Sequence, residues 1–129
     1  MKPLYLFFSR VLIILLLLNL TSCQVNKSIV EATDTIIIYD VENNVYETLE
    51  DNDIVNQYIE YFKITSSIKT NKGGGAMTLP SGKTISYVSN NKTIIFIEKW
   101  IEENMIIIHV DDKMYVGTNP ILSEMCSAH

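Results

Sequence analysis

Apolar positions along this chain fall into three regimes. From Leu4 to Leu20 they are almost continuous, interrupted only by Ser9, Arg10 and Asn19. Further on they recur once at helical spacing, and everywhere else they form short β-branched runs between turn residues. Thr35 to Val41 (Thr-Ile-Ile-Ile-Tyr-Asp-Val) reads as a strand, Glu42-Asn43-Asn44 as a turn, and Val45 to Leu49 as a second strand. Ile54, Val55, Tyr58, Ile59 and Phe62 make one apolar stripe of a helix that ends around Thr65. Asp51 or Asp53 caps it, where acids meet the positive end of the helix dipole. Ser66 to Gly82 reads as a long loop holding Gly73-Gly74-Gly75 and Pro80. Four strand signals follow: Lys83 to Val88, Thr93 to Trp100, Met105 to Val110 and Met114 to Gly117. Their short connections suit an antiparallel meander, because βαβ units need long crossovers. The predicted class is α+β: a small antiparallel sheet in the order ββ-α-ββββ, with one amphipathic helix packed on a face.

The first apolar stretch is of a different kind. Lys2 and Arg10 place positive charge before an unbroken run, Val11 to Leu18, and Leu20-Thr21-Ser22-Cys23 closes it. A charged start, a short apolar centre and small residues before a cut describe an export signal. The segment resembles the leaders cleaved by signal peptidase II, whose closing motif is Leu, a small or β-branched residue, Gly/Ala/Ser, then Cys. All four positions match. The resemblance covers residues 1–23. It implies that the Cys23 sulfur receives a diacylglycerol through a thioether and that the chain is cut before Cys23. Acyl chains at roughly 0.8 kcal/mol per buried CH₂ then hold the protein on a bilayer. Gln24, where an Asp often signals retention at the inner membrane, implies the outer membrane, facing the periplasm, if the envelope is Gram-negative. The alternative is an uncleaved span from Leu4 to Leu20, which must place Arg10 inside hydrocarbon and falls short of the roughly 20 apolar residues a span needs.

The resulting division is a signal peptide at 1–22, a lipidated N-terminus and tether at 23–34, one domain at 35–118 and a C-terminal tail at 119–129. One small core fits that length. Without the leader, the chain keeps eight basic residues against fifteen acidic ones, a net −7 with His neutral. Such a surface argues against nucleic acid and against lying flat on anionic lipid; it suits a soluble domain held off the membrane, or one that meets a basic partner. With Cys23 committed to lipid, Cys126 stands alone in the tail, so a disulfide framework is not expected.

Candidate chemistry is sparse. Asp40, Glu42, Glu47, Glu50, Asp51 and Asp53 fall in a stretch without Lys or Arg. The same stretch lacks the glycine a calcium loop needs, so it reads as a hairpin end and helix cap, or as a docking patch. Ser66-Ser67-Ile68-Lys69 fits the Ser-x-x-Lys nucleophile motif of penicillin-recognising enzymes, but no Lys-Thr-Gly follows and the chain is too short for that fold. Gly82-Lys83-Thr84 lacks the first glycine of a phosphate loop, since Met77 stands there, and it opens a strand. His109 shares a strand face with Ile107 and has no Cys or second His at ligand spacing, so it reads as structural. Tyr61 lies beside the helix stripe and is the best aromatic anchor for a partner. No cofactor, metal or catalytic set is expected. The functional expectation is a lipid-anchored envelope protein that binds another protein, in the manner of an inhibitor or immunity protein, with Asp40, Glu42, Glu47 and Tyr61 as contact residues. The alternative is a structural or assembly lipoprotein, which an exposed edge of the meander would distinguish.

Overall fold

The computed structural model describes residues 26–70 and 82–127. Leu20, Thr21, Ser22, Cys23 and the Gly73-Gly74-Gly75 run lie outside the described residues. The strands are β1 (Thr35–Tyr39), β2 (Val45–Leu49), β3 (Ser66–Thr70), β4 (Thr84–Ser89), β5 (Lys92–Lys99), β6 (Met105–Val110) and β7 (Lys113–Thr118). Helix α1 spans Asn52–Lys63, and α2 spans Pro120–Met125. A 3-10 helix, Lys27–Ala32, precedes β1. The strands form a single seven-stranded sheet in the order β2-β1-β4-β5-β6-β7-β3, antiparallel at every pairing. The fold is α+β, and β4 to β7 form the expected meander.

Period-two alternation places Ile36, Ile38, Ile85, Tyr87, Ile95, Ile97, Ile106 and Ile108 on one buried face of the sheet. Helix α1 covers that face with Val55, Tyr58, Ile59 and Phe62. Ile54, counted in the stripe from sequence, is exposed. Asp51 is the cap: its Oδ1 accepts from the amides of Asp53 at 2.9 Å and Ile54 at 3.3 Å. Phe62 meets the Tyr87 ring edge-on at 5.8 Å, and the Tyr87 hydroxyl donates to the Tyr58 carbonyl at 2.7 Å. Tight connections use the residues that tolerate a left-handed backbone: Asn90 (φ 51°) and Asn91 (φ 63°) turn β4 into β5, and Asp111 (φ 54°) turns β6 into β7.

Three stretches differ from the sequence expectation. The tether is folded: Val30 of the 3-10 helix is fully buried, and Lys27 Nζ donates to the carbonyls of Lys63 at 3.1 Å and Thr65 at 2.5 Å, satisfying the end of α1. The start of the expected loop, Ser66 to Thr70, is strand β3, paired with β7. The expected tail contains α2, whose Leu122 and following Cys126 are fully buried in the core. Cys126 is therefore a core residue, because α2 folds back under the sheet face that α1 covers. Ser66-Ser67-Ile68-Lys69 is edge-strand backbone.

Gly117 of β7 shows how tightly β3 closes that edge. A Cβ there would lie 2.7 Å from Thr65 Cγ2 and 3.3 Å from Ile68 Cγ1. Thr65 is buried, and its own hydroxyl donates to the Phe62 carbonyl at 2.6 Å, so it has little room to withdraw. Gly117→Ala is expected to destabilise the fold by about 2 kcal/mol through overpacking, read as a lowered urea midpoint. An unchanged midpoint would show that β3 yields freely.

Candidate partner-binding surface

Between Lys27 and Lys63 the chain carries no basic residue. The topology sets much of that stretch along one side of the sheet, as the β1–β2 hairpin and the approach to α1. Not all its carboxylates are free. Asp40 Oδ1 accepts from the amides of Glu42 at 3.0 Å and Asn44 at 2.9 Å, which closes the hairpin turn. Asp51 caps α1. Glu42, Glu47, Glu50 and Asp53 remain exposed. Glu47 pairs with Ile38 across β1–β2, which puts it at the rim of the helix-bearing face. Burial, chiefly, and then the Glu47 carboxylate hold the Tyr58 phenol above its usual range.

The same hairpin also exposes apolar surface. Val41, Val45 and Tyr46 are 51%, 60% and 59% exposed. Lys83 rests its ammonium 4.1 Å from the centre of the Tyr46 ring, a cation–π contact that steadies the ring. The available signal was a Val-Tyr pair opening a short strand; what sequence alone could not show is that β2 is the outermost strand. Tyr61 stands apart from this edge. It is half-buried on α1, edge-on to Tyr58 at 5.6 Å, and its carbonyl accepts from Asn119 at 2.8 Å. Of the expected contact residues, the structure brings Asp40, Glu42 and Glu47 together on the hairpin and gives Tyr61 a packing role.

The opposite sheet face holds the other notable group. His109 lies across from Phe96 and shares that face with Ile107. Its Nε2 is 2.5 Å from Glu98 Oε2, and its ring stands 5.8 Å from that of Phe96. Sequence spacing had not singled out Glu98, because the pairing depends on the β5–β6 register. A shallow cleft of about 380 Å³ opens beside them, lined also by Lys92, Asp111 and Asp112. This arrangement can orient an imidazole. Thr93, also in the lining, has its hydroxyl 2.8 Å from that of Ser86. Cys126 is on the other side of the sheet, and burial pushes its thiol up to about 12. Among the described residues no group of three His, Cys, Asp or Glu side chains is placed to hold a metal ion.

Comparison with protein-family models, curated proteins and solved structures finds no match for this chain.

The meander itself is flanked on both sides, by β1 against β4 and by β3 against β7. The outermost strands are β2 and β3. The exposed acidic and apolar side chains of β2 and its turn thus sit on a sheet edge outside the meander.

Proposed function

We propose that this protein is a lipid-anchored component of a bacterial cell envelope whose domain binds another protein and catalyses no reaction. The observation that carries this reading is the β2 side of the sheet: Glu42, Glu47 and Glu50 exposed beside Val41, Val45 and Tyr46, on a stretch with no basic residue of its own. A surface that pairs apolar contact area with an excess of one charge, here with Lys83 as the cation on the Tyr46 ring, steers and holds a partner of opposite sign. An inhibitor or immunity protein that caps a basic hydrolase or toxin fits it; an assembly lipoprotein is the alternative.

The lipid anchor agrees with that orientation. Asn26 stands three residues after Cys23, and three residues span at most about 10 Å, so a lipid on Cys23 keeps Asn26 within that reach of the bilayer. Lys27 of this membrane-proximal end contacts the C-terminus of α1, while β2 leads into its N-terminus. The twelve residues of α1 separate the two ends by about 18 Å. The acidic edge is thereby held away from the anchor.

Replacing Glu42, Glu47 and Glu50 together with Gln is expected to weaken partner binding about tenfold or more at low salt and to flatten its salt dependence. Asp40 is left in place because its carboxylate closes the turn. Isothermal titration of the native partner against both forms of the protein measures this, and unchanged affinity and salt slope would remove the edge from the binding reading.

A further inference from the structure

We infer that the outer edge of β2 accepts an extended, Lys- or Arg-bearing segment of the partner as an eighth strand. The inference rests on the protein-binding reading above and specifies its mode.

The backbone supports it first. Among the described residues β2 is terminal in the sheet and pairs with β1 alone. A terminal strand leaves a row of N–H and C=O groups without sheet partners, which is a template for another strand. Side chains from Val45 to Thr48 are all exposed. The register break of the β1–β2 pair falls between Ile38 and Tyr39, at the hairpin end, and leaves Glu47 to Leu49 regularly paired with Ile38 to Ile36. Proteins commonly block such an edge with Lys or Pro, and β2 (Val-Tyr-Glu-Thr-Leu) contains neither.

Charge then selects the occupant. A second copy would add by two-fold symmetry, and pairing centred on β2 sets Glu47 directly against Glu47. That register also brings Glu42 of one copy toward Asp51 and Asp53 of the other. Like charges opposite one another destabilise a strand pair. The carboxylate that repels a copy attracts a basic residue placed opposite it, so Glu47 works both as contact and as a bar to self-pairing. On the other face of the added strand, the neighbour of Thr48, which pairs with Ile37, is best β-branched or aromatic. The segment is therefore an extended stretch with a central Lys or Arg, β-branched flanks and further basic residues at its ends, reaching toward Glu42 and Glu50.

The probe is a blocked peptide, Lys-Val-Thr-Lys-Thr-Val-Lys, titrated by fluorescence anisotropy onto the full chain in nanodiscs of zwitterionic phosphatidylcholine. The decisive series leaves the protein unaltered and methylates the peptide's own backbone nitrogens. In an added strand, alternate N–H groups point toward the sheet. Methylating one alternate set is expected to weaken binding about tenfold or more, and methylating the other to leave it within about twofold. Glu47→Lys is expected to reverse the preference, taking a Glu-for-Lys peptide over the original. Equal binding by both methylated sets would overturn strand addition while leaving charge-driven docking, and so the functional reading, intact. No binding by the parent peptide, or a cross-link between two copies of the chain through β2, would also overturn the inference; the functional reading would then stand or fall with the native partner.

Discussion

Asn119→Ala is expected to cost about 3 kcal/mol of folding stability, although the side chain lies away from the acidic hairpin. Asn119 is fully buried at the junction of β7 and α2. Its Oδ1 accepts from the Leu122 amide at 3.0 Å as the cap of α2, and its Nδ2 donates to the Tyr61 carbonyl and to Thr65 Oγ1, each at 2.8 Å. One side chain thus ties the start of α2 to the end of α1. Losing the cap costs about 1 kcal/mol, and leaving the partly buried Tyr61 carbonyl without this donor adds about 1–3 kcal/mol. Asn119→Asp separates the two contributions. It keeps the cap but offers the Tyr61 carbonyl no donor when ionised, so it is expected to remain strongly destabilised. Urea denaturation measures both, and near wild-type stability for either would mean that the junction relaxes around the loss.

Stability is also expected to collapse in alkali, with Cys126 the first buried group to contribute. Burial, the largest influence, and the Glu98 carboxylate push its thiol from an ordinary 9.0 to about 12, against the opposing pull of Lys99. The sign follows from proton binding. Below pH 9 both folded and unfolded chains hold the thiol proton, so the contribution is fully present. Between pH 9 and 12 the unfolded chain releases it while the folded chain keeps it, and stability falls by about 1.4 kcal/mol per pH unit, about 4 kcal/mol in all. Tyr87, raised well above its usual range by burial, and Tyr58 add losses of the same sign above pH 10. Cys126→Ala is expected to lower stability at pH 7 through its cavity yet to flatten the decline above pH 9. An undiminished slope in that variant would assign the alkaline loss to the tyrosines.

Much of this fold is legible along the chain because its strands announce themselves. Ile36, Ile38, Ile95, Ile97, Ile106 and Ile108 lie in β-branched runs bounded by Asn and Asp, and the stripe from Val55 to Phe62 has a clear helical period. The parts that escape notice lack such periodicity. Ser66-Ser67-Ile68-Lys69-Thr70 has a single large apolar residue, and it becomes a strand because β7 offers a free edge and Gly117 lets the chain approach. Helix α2 has only six residues, too few for a period, although Asn119-Pro120 is the cap-then-proline start that marks a helix. Strand order is not written locally: nothing in Val45 to Leu49 says that this strand ends outermost. The candidate site divides in the same way. The acidic run is visible in the sequence, but which carboxylates are free depends on the turn that engages Asp40 and the cap that engages Asp51. The Glu98–His109 pair depends on cross-strand register and is invisible without it.

The most direct test of protein binding through the β2 edge is site-specific photo-cross-linking in the native envelope, followed by mass spectrometry. A photoreactive amino acid replaces Tyr46, 59% exposed on that edge, and in separate strains Ile64, 52% exposed, or Ile101, 53% exposed. One dominant partner captured from position 46, bearing a basic surface and absent from positions 64 and 101, is the expected result. Capture of the same protein from all three positions, or of none from position 46, would contradict it.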